Sequence, residues 1–304
     1  MPIARRLVLQ GMLATGAAAL VPTPAPSEEN PPLTRRIPSS GEVIPVVGLG
    51  SWITFNVGDD PVLVDECADV MAAFFEAGGR MIDCSPMYGS SQSAIGHGLA
   101  KLGHPKALFS AEKVWTSGGD GAGQIEQSRQ LWGVPRFDLI QVHNLLDWQE
   151  HLEMLVEMKA AGKVRYVGVT TSEGRRHDLI EEIMRTQPVD FVQLTYNVID
   201  REPEQRLLPL AGDRGIAVII NRPFQQGALT RRLGRENLPP WAAEIGVASW
   251  AQFILKYVVS HPGVSVVIPA TTRVDHVREN LDAARGTIPD AAMRARMVSY
   301  VQDL

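Results

Sequence analysis

Val264-Ser265-Val266-Val267-Ile268, near the end of the chain, is the stretch that decides the fold. As an extended segment it is apolar on both faces, which is typical of a strand in a buried parallel sheet. Short segments of the same kind recur along the chain. They predict strands over Val46–Gly50, Arg80–Cys84, Leu108–Val114, Phe137–Val142, Arg165–Val169, Phe191–Tyr196, Ala217–Ile220 and Ser265–Ile268.

Segments with apolar residues at helical spacing follow these strands. They predict helices over Val62–Ala77, Gln92–Leu102, Gln124–Trp132, Trp148–Ala160, Gly174–Arg185, Pro203–Gly212, Trp241–His261, Asp275–Ala284 and Asp290–Gln302. Eight strand-then-helix units at even spacing predict a single-domain α/β protein, a (β/α)₈ TIM barrel. A hairpin over Arg36–Val47, turning at Ser40-Gly41, is expected to close the barrel floor.

The competing architecture is an open doubly wound sheet, which normally carries a glycine fingerprint for phosphate directly after its first strand. Gly48-Leu49-Gly50 begins such a pattern, but Ile53 stands where the third glycine belongs. No Lys-Ser or Lys-Thr follows the glycine-rich stretch from Gly118 to Gly123, so the P-loop pattern is absent as well. The barrel is therefore favoured.

The composition is that of a globular enzyme-sized protein. The chain has 304 residues, of which 45% are hydrophobic and 21% are charged, with a net charge of −5. This charge favours neither nucleic acid nor an anionic membrane as a partner. The two cysteines, Cys67 and Cys84, belong to no CxxC motif or His/Cys cluster, so no metal site is expected.

The N-terminus has a different character. Arg5-Arg6 precede a mildly apolar stretch from Leu7 to Val21, and a proline-rich segment follows. The apolar stretch is too short for a comfortable membrane span. This layout resembles a twin-arginine signal peptide, which implies a periplasmic or exported protein that engages the twin-arginine export machinery. Residues 1–32 are then signal and linker, and residues 33–304 form the barrel. The alternative is a disordered extension of a cytoplasmic protein.

Polar residues at the strand ends are the candidates for catalysis, because barrel enzymes carry their active sites at the carboxyl ends of the strands. Asp83 and Lys113 lie at the ends of the second and third strands, and Tyr88 and His143 follow the second and fourth strands. Each residue alone is a weak signal, since a single strand-end His or Lys is more often structural. Their convergence on one rim is specific.

The stretch Asp83-Cys84-Ser85-Pro86-Met87-Tyr88-Gly89, the strand-end Lys113 and Gln141-Val142-His143 resemble the signature of the aldo/keto reductase family. The resemblance extends over about residues 43–281. It implies an NAD(P)H-dependent oxidoreductase that reduces an aldehyde or ketone to an alcohol.

The chemistry requires residues of these types. Carbonyl reduction delivers a hydride to carbon and a proton to oxygen, and the nicotinamide supplies the hydride. Free tyrosine has a pKa of about 10, and a neighbouring lysine ammonium favours its phenolate. The resemblance implies that Tyr88 is the acid/base, that Lys113 and Asp83 support it, and that His143 orients the carbonyl.

The resemblance also implies a cofactor site for NADPH, with NADH possible. Gln193, Thr170 and Thr171 match residues that bind the nicotinamide amide, and Glu279 and Asn280 match residues that contact the adenine. Asn221 stands where many members have a stacking Tyr, and Arg273 is a candidate partner for a 2′-phosphate. The remaining cofactor positions are Gly50, Ser51, Trp52, Arg222, Pro223, Phe224 and Thr271.

Two other functions fit the same residues. Lys113 could form a Schiff base in a lyase, although Asp83 and Tyr88 would keep that lysine charged. The barrel could also be a non-catalytic protein that senses a nucleotide or binds a partner, since a fold does not fix a function. The complete set of Asp83, Tyr88, Lys113 and His143 favours catalysis.

Overall fold

The structure, a computed structural model, describes residues 31–304. The predicted signal segment, residues 1–32, lies outside the described residues except for Pro31 and Pro32. Residues Pro31–Leu304 form one compact unit. Within this part of the chain, no helix is long and apolar enough to cross a membrane.

A small hairpin precedes the barrel. Strand β1 (Thr34–Arg36) pairs antiparallel with β2 (Val43–Pro45), and Arg35 lies opposite Ile44. Gly41, in the connecting turn, has a φ of 76°, a left-handed conformation that glycine adopts without steric cost. The hairpin that Ser40-Gly41 predicts is thus confirmed.

The centre of the molecule is a parallel sheet of eight strands that curves into a barrel. Its strands follow chain order, and each is hydrogen-bonded to the next. They are β3 (Leu49–Gly50), β4 (Met81–Asp83), β5 (Phe109–Val114), β6 (Phe137–Val142), β7 (Val164–Thr170), β8 (Phe191–Thr195), β9 (Ala217–Asn221) and β10 (Val266–Val267). Parallel bridges from Val47 to Val267 and from Gly50 to Ala270 join the first and last strands. The sheet therefore closes as the predicted (β/α)₈ barrel.

Helices cover the outside of this barrel. They are α1 (Pro61–Glu76), α2 (Ser91–Lys101), α3 (Gly121–Trp132), α4 (Trp148–Ala160), α5 (His177–Thr186), α6 (Leu207–Arg214), α7 (Ala228–Leu233), α8 (Trp250–Val259), α9 (Val274–Asp282) and α10 (Ala291–Gln302). The first begins where Asp60 accepts hydrogen bonds from the amides of Val62 and Leu63, with a proline in its first turn. Asp60 therefore acts as a helix N-cap.

Two of the predicted helices are wrong in extent. The segment predicted as one helix from Trp241 to His261 contains a 3-10 turn (Ala242–Ile245) and then α8. Gly246 adopts a left-handed φ of 62°, and the Ser249 hydroxyl accepts from the amide of Gln252 to start the new helix. The segment from Pro203 to Gly212 divides in the same way, into a 3-10 turn (Glu202–Glu204) and α6. Helix α7 has six residues, which is too short for a periodic apolar pattern, so the sequence does not predict it.

The core has two parts. A large cluster lies between the sheet and the helices, and a smaller one fills the barrel interior. In the smaller cluster, Ile37 and Ile44 of the hairpin join Phe109, Phe191 and other residues that begin their strands. The hairpin therefore seals the amino-terminal end of the barrel, and the carboxyl ends of the strands remain open for a site.

Candidate active site

A cavity of about 740 Å³ opens at the carboxyl ends of the strands. This volume lies in the range of cofactor and ligand sites in proteins. The carboxyl ends of seven strands or the loops after them contribute to its wall, with Trp52, Tyr88, His143, Thr170, Gln193, Asn221 and Thr271 among the lining residues. The barrel thus brings together residues that are far apart in the sequence.

A buried ion pair lies at the base of the cavity. The Lys113 ammonium donates to Asp83 Oδ1 at 2.5 Å and to the Cys84 carbonyl at 2.6 Å. The two side chains are 0% and 3% exposed. Burial by itself lowers the pKa of Lys113, but the charge and hydrogen bond of Asp83, together with other acidic groups nearby, outweigh burial and raise the pKa above its ordinary value. Lys113 is therefore charged at neutral pH.

Two amides hold the other oxygen of this carboxylate. Asp83 Oδ2 accepts from Gln193 Nε2 at 3.0 Å and from Gln141 Nε2 at 3.3 Å. Asp83 thus has partners on β5, β6 and β8, and these bonds fix its direction toward Lys113. The resemblance assigns Gln193 to the cofactor amide. Gln193 lines the cavity, but its amide nitrogen donates a hydrogen bond to Asp83 in this structure.

Tyr88 lies beside the ion pair. The Lys113 nitrogen is 5.1 Å from the centre of the Tyr88 ring. Burial raises the pKa of Tyr88, and the positive charge of Lys113 lowers it by less, so the net shift is upward. The expected preference for the phenolate is thus outweighed by burial. Tyr88 is a phenol at neutral pH and holds a proton that it can donate.

His143 packs against Tyr88 at the cavity wall, with the two rings edge to face and their centres 5.7 Å apart. Burial and the nearby positive charge of Lys113 lower the pKa of His143 to about 3. The imidazole is therefore neutral at neutral pH. Its Nδ1 lies 2.7 Å from the hydroxyl oxygen of Ser85, a buried residue that sequence reasoning did not assign to the site.

Most of the sequence-predicted residues meet at this cavity. Asp83, Tyr88 and His143 line it, and Lys113 lies directly behind them. Twelve of the predicted cofactor residues also line it, namely Gly50, Ser51, Trp52, Thr170, Gln193, Asn221, Arg222, Pro223, Phe224, Thr271, Glu279 and Asn280. The predicted site is thus one continuous surface.

Thr171 and Arg273 do not line the cavity. The Thr171 hydroxyl donates to the Arg175 carbonyl at 2.6 Å, so this side chain stabilises its own loop. Arg273 is exposed, and its guanidinium donates twice to Asp275, at 3.0 and 2.5 Å. Its assignment to a 2′-phosphate stays a prediction.

The structure adds residues that sequence reasoning missed. Glu173 and Arg175, in the loop after β7, line the cavity, and Glu173 forms an ion pair with Arg222 at 3.0 Å. Both Glu173 and Arg222 have positive φ angles, 62° and 49°. Their position directly after a strand end could have marked them as candidates for the site. In sequence, however, charged residues in a site loop cannot be distinguished from those in an ordinary solvated loop. Among residues 31–304, no group of three or more His, Cys, Asp or Glu could hold a metal ion.

Comparisons with known proteins agree with this geometry. The sequence model of the aldo/keto reductase family matches residues 46–296. The chain is 25% identical to the NADH-specific methylglyoxal reductase of Escherichia coli, over 81% of this chain and 91% of that protein. It is 27% identical to methylglyoxal reductase YeaE of the same organism, over 81% and 88% of the two chains.

The fold has close counterparts among solved structures. An aldo/keto reductase from Klebsiella pneumoniae, in complex with NADP and acetate, superposes with a TM-score of 0.72 at 22% identity. The match covers 86% of this chain and 92% of that one. The barrel, the converging strand-end residues and the family match over most of the chain lead to one conclusion: the chain belongs to the aldo/keto reductase family.

Proposed function

We propose that this protein reduces an aldehyde or ketone to an alcohol with NADPH or NADH, and that Tyr88 donates the proton. The observation that carries the proposal is the buried Lys113–Asp83 pair directly beside a protonated Tyr88 at the cavity wall. A buried ion pair is often no more stabilising than packed apolar residues in the same place, so stability alone is a weak reason for its presence.

The residues at the cavity fit a nicotinamide dinucleotide. When it is bound, its nicotinamide supplies the hydride. Thr170 and Gln193 line the cavity and offer a hydroxyl group and an amide oxygen for the carboxamide. Asn221 also lines the cavity, but its amide accepts from the Thr195 hydroxyl and donates to the Thr171 carbonyl. Arg222 offers a cation for the phosphates, and Asn280 a polar group for the adenine.

The proton step uses residues of the chain itself. Tyr88 gives its phenolic proton to the carbonyl oxygen, and the Lys113 ammonium stabilises the phenolate that remains. Asp83 keeps Lys113 charged and oriented through the 2.5 Å contact. His143, which is neutral, donates a hydrogen bond to the same oxygen as negative charge develops on it.

Replacing Tyr88 by Phe tests this assignment. Turnover is expected to fall by about 100- to 10,000-fold, the range that a general acid contributes, while cofactor affinity stays nearly unchanged. Steady-state kinetics and cofactor titration by fluorescence measure the two quantities. Tyr300→Phe is the matched control, since Tyr300 does not line the cavity and, among residues 31–304, its hydroxyl donates only to the Asn237 carbonyl. A Tyr88→Phe enzyme with wild-type turnover contradicts the proposal.

Methylglyoxal is the first substrate to test, because two relatives are named as reductases of it. Both NADH and NADPH belong in this test. The first relative is named NADH-specific, whereas the Klebsiella pneumoniae structure contains NADP. The assignment of Arg273 to a 2′-phosphate belongs to the same proposal.

The two alternative functions are less well supported. A Schiff base requires a neutral lysine, but Lys113 is charged and held by two hydrogen bonds. A non-catalytic role does not account for the buried ion pair. Borohydride trapping with a carbonyl substrate separates the lyase from the reductase, because only a Schiff base is reduced to a stable adduct.

We also propose that residues 1–32 direct export through the twin-arginine pathway. Support comes from Arg5-Arg6, the mildly apolar stretch after them and the proline-rich segment. Because the receptor recognises arginine itself, Arg5→Lys with Arg6→Lys is expected to block export without affecting folding. Cell fractionation and mass spectrometry of the mature N-terminus measure the result.

A second arginine pair gives a matched control for the export test. Arg35 and Arg36 lie in β1, and replacing both by Lys is expected to leave export unchanged. A chain that starts at Leu33 is expected to keep its activity. An uncleaved wild-type protein found only in the cytoplasm contradicts the export proposal.

A further inference from the structure

Ser85 lies between Asp83 and Tyr88 in the loop after β4, and it is fully buried. Its hydroxyl oxygen has two partners among residues 31–304. His143 Nδ1 lies 2.7 Å away, and the backbone amide of Met87 lies 3.2 Å away. The roles of donor and acceptor in these two contacts determine which nitrogen of His143 carries the proton.

The contact with Met87 has only one possible direction, because a backbone N–H can only donate. The Ser85 oxygen therefore accepts from Met87, and the hydroxyl hydrogen needs an acceptor. His143 Nδ1 is the acceptor that the described residues provide. If Nδ1 were protonated instead, two donors would point at the oxygen and the hydroxyl hydrogen would be buried without a partner. Proteins rarely leave a buried donor in that state.

The remaining ring nitrogen then follows from the charge of His143. Since the imidazole is neutral at neutral pH, it carries one N–H. With Nδ1 as the acceptor, that hydrogen is on Nε2. His143 lines the cavity, and no other residue of the described chain forms a hydrogen bond with Nε2. The Nε2–H group is thus available to a molecule in the cavity.

We infer that Ser85 is a positioning residue, which holds His143 as the Nε2–H tautomer by donating to Nδ1. The consequence for catalysis rests on the function proposed above. In the Nε2–H tautomer, His143 donates to the substrate oxygen, on which negative charge develops. In the other tautomer the Nε2 lone pair faces that oxygen and repels it. The chemical state of His143 is thus set by a serine two residues after Asp83.

The tautomer can be measured directly, without any turnover. We would record imidazole ¹⁵N spectra of the ¹⁵N-labelled full chain near pH 7.5, and His143→Gln would assign the His143 signals. The expected result is an unprotonated Nδ1 and a protonated Nε2. A protonated Nδ1 in the wild-type protein overturns the inference, and this measurement holds even if a Ser85 variant fails to fold.

Two variants then test the role of Ser85. Ser85→Ala is expected to populate the Nδ1–H tautomer and to lower kcat/KM for the carbonyl substrate by about tenfold, with cofactor Kd nearly unchanged. Ser85→Thr keeps a hydroxyl and is expected to restore the wild-type spectrum. A folded Ser85→Ala protein with the wild-type tautomer overturns the inference.

The test of Ser85 and the test of the proposed reductase function can give different results. A wild-type protein that shows the Nε2–H tautomer, and loses it in Ser85→Ala, but reduces no carbonyl with either dinucleotide supports the role of Ser85. The same result overturns the reductase function. The spectra and the kinetics therefore report on different claims.

Discussion

At the scale of single residues, burial decides the protonation state of Tyr88, His143 and Glu112. Tyr88 keeps its proton although a lysine lies beside it, and His143 stays neutral. Glu112, the neighbour of Lys113 on β5, points away from the cavity into the helix layer. It accepts hydrogen bonds from Gln92 at 2.9 Å and from Trp132 at 2.8 Å. Burial raises the pKa of Glu112 to about 7.

This shift predicts a pH dependence of stability. A carboxyl whose pKa is raised on folding binds its proton more tightly in the folded state. Its contribution to the free energy of unfolding therefore falls as pH rises from about 4.5 to about 7. The total fall is about 3 kcal/mol. Urea unfolding at pH 5 and pH 8 measures this contribution as a difference between the wild type and Glu112→Gln.

The wild type alone does not isolate the contribution of Glu112, because the titration of His143 changes the free energy of unfolding in the opposite direction. Its lowered pKa makes stability rise with pH from about 3 to about 6.5, which overlaps the window of Glu112. Glu112→Gln removes the titration of Glu112 and leaves that of His143. If the wild type and Glu112→Gln differ by the same free energy at both pH values, Glu112 does not titrate in this window.

At the scale of elements, the site is built from strand ends and the loops that follow them, and helix α9 contributes a further part of the cavity wall. Glu279 and Asn280 of α9 line the cavity, whereas Arg273, just before α9, turns to Asp275. The ion pair is exposed on both sides, so it contributes little to stability and opens at low cost. Arg273 is therefore free to exchange Asp275 for a phosphate.

Removing this arginine tests its assignment to a 2′-phosphate. Arg273→Ala is expected to weaken NADPH binding by about 10- to 100-fold and to leave NADH binding unchanged, since only NADPH carries that group. Fluorescence titration with both dinucleotides measures the effect. Arg278→Ala is the matched control, because Arg278 is an exposed arginine of α9 that pairs with Glu76 of α1. An equal loss for both dinucleotides shows that Arg273 does not recognise the 2′-phosphate.

At the scale of the whole molecule, the barrel depends on close contact between its first and last strands. The bridge from Gly50 to Ala270 closes the sheet, and the Gly50 amide donates to the Pro269 carbonyl at 3.1 Å. A Cβ at Gly50 would lie 2.8 Å from the Ile268 carbonyl oxygen. A side chain at this position therefore has to push the two strands apart.

Gly50→Ala is expected to destabilise the barrel by about 1–3 kcal/mol, the usual cost of overpacking a close contact. Chemical denaturation measures the change. Gly212→Ala is the matched control. This glycine lies in α6 with nothing within 4 Å of a new Cβ, and the change is expected to stabilise by about 0.5–1 kcal/mol. A Gly50→Ala protein as stable as the wild type contradicts the idea that closure requires glycine.

The sequence by itself determined the architecture and the family. Strand and helix patterns depend on which apolar residues are neighbours along the chain, and eight repeats of one unit leave few ways to pack. Because barrel enzymes carry their active sites at the carboxyl ends of the strands, the sequence positions of Asp83, Tyr88, Lys113 and His143 predict that they share one rim. The resemblance to a known signature supplied their roles, which pattern alone does not provide.

Only the tertiary structure decided which atoms meet and in which protonation state. Asp83 and Gln193 are 110 residues apart in the chain, and their hydrogen bond depends on barrel closure. No sequence pattern indicates that Ser85 contacts His143, but in the fold its hydroxyl lies 2.7 Å from His143 Nδ1. The direction of the Tyr88 pKa shift depends on whether burial or Lys113 has the larger effect, and burial is a property of packing. Local patterns determine the elements, but distances and dielectric environment exist only once those elements have packed.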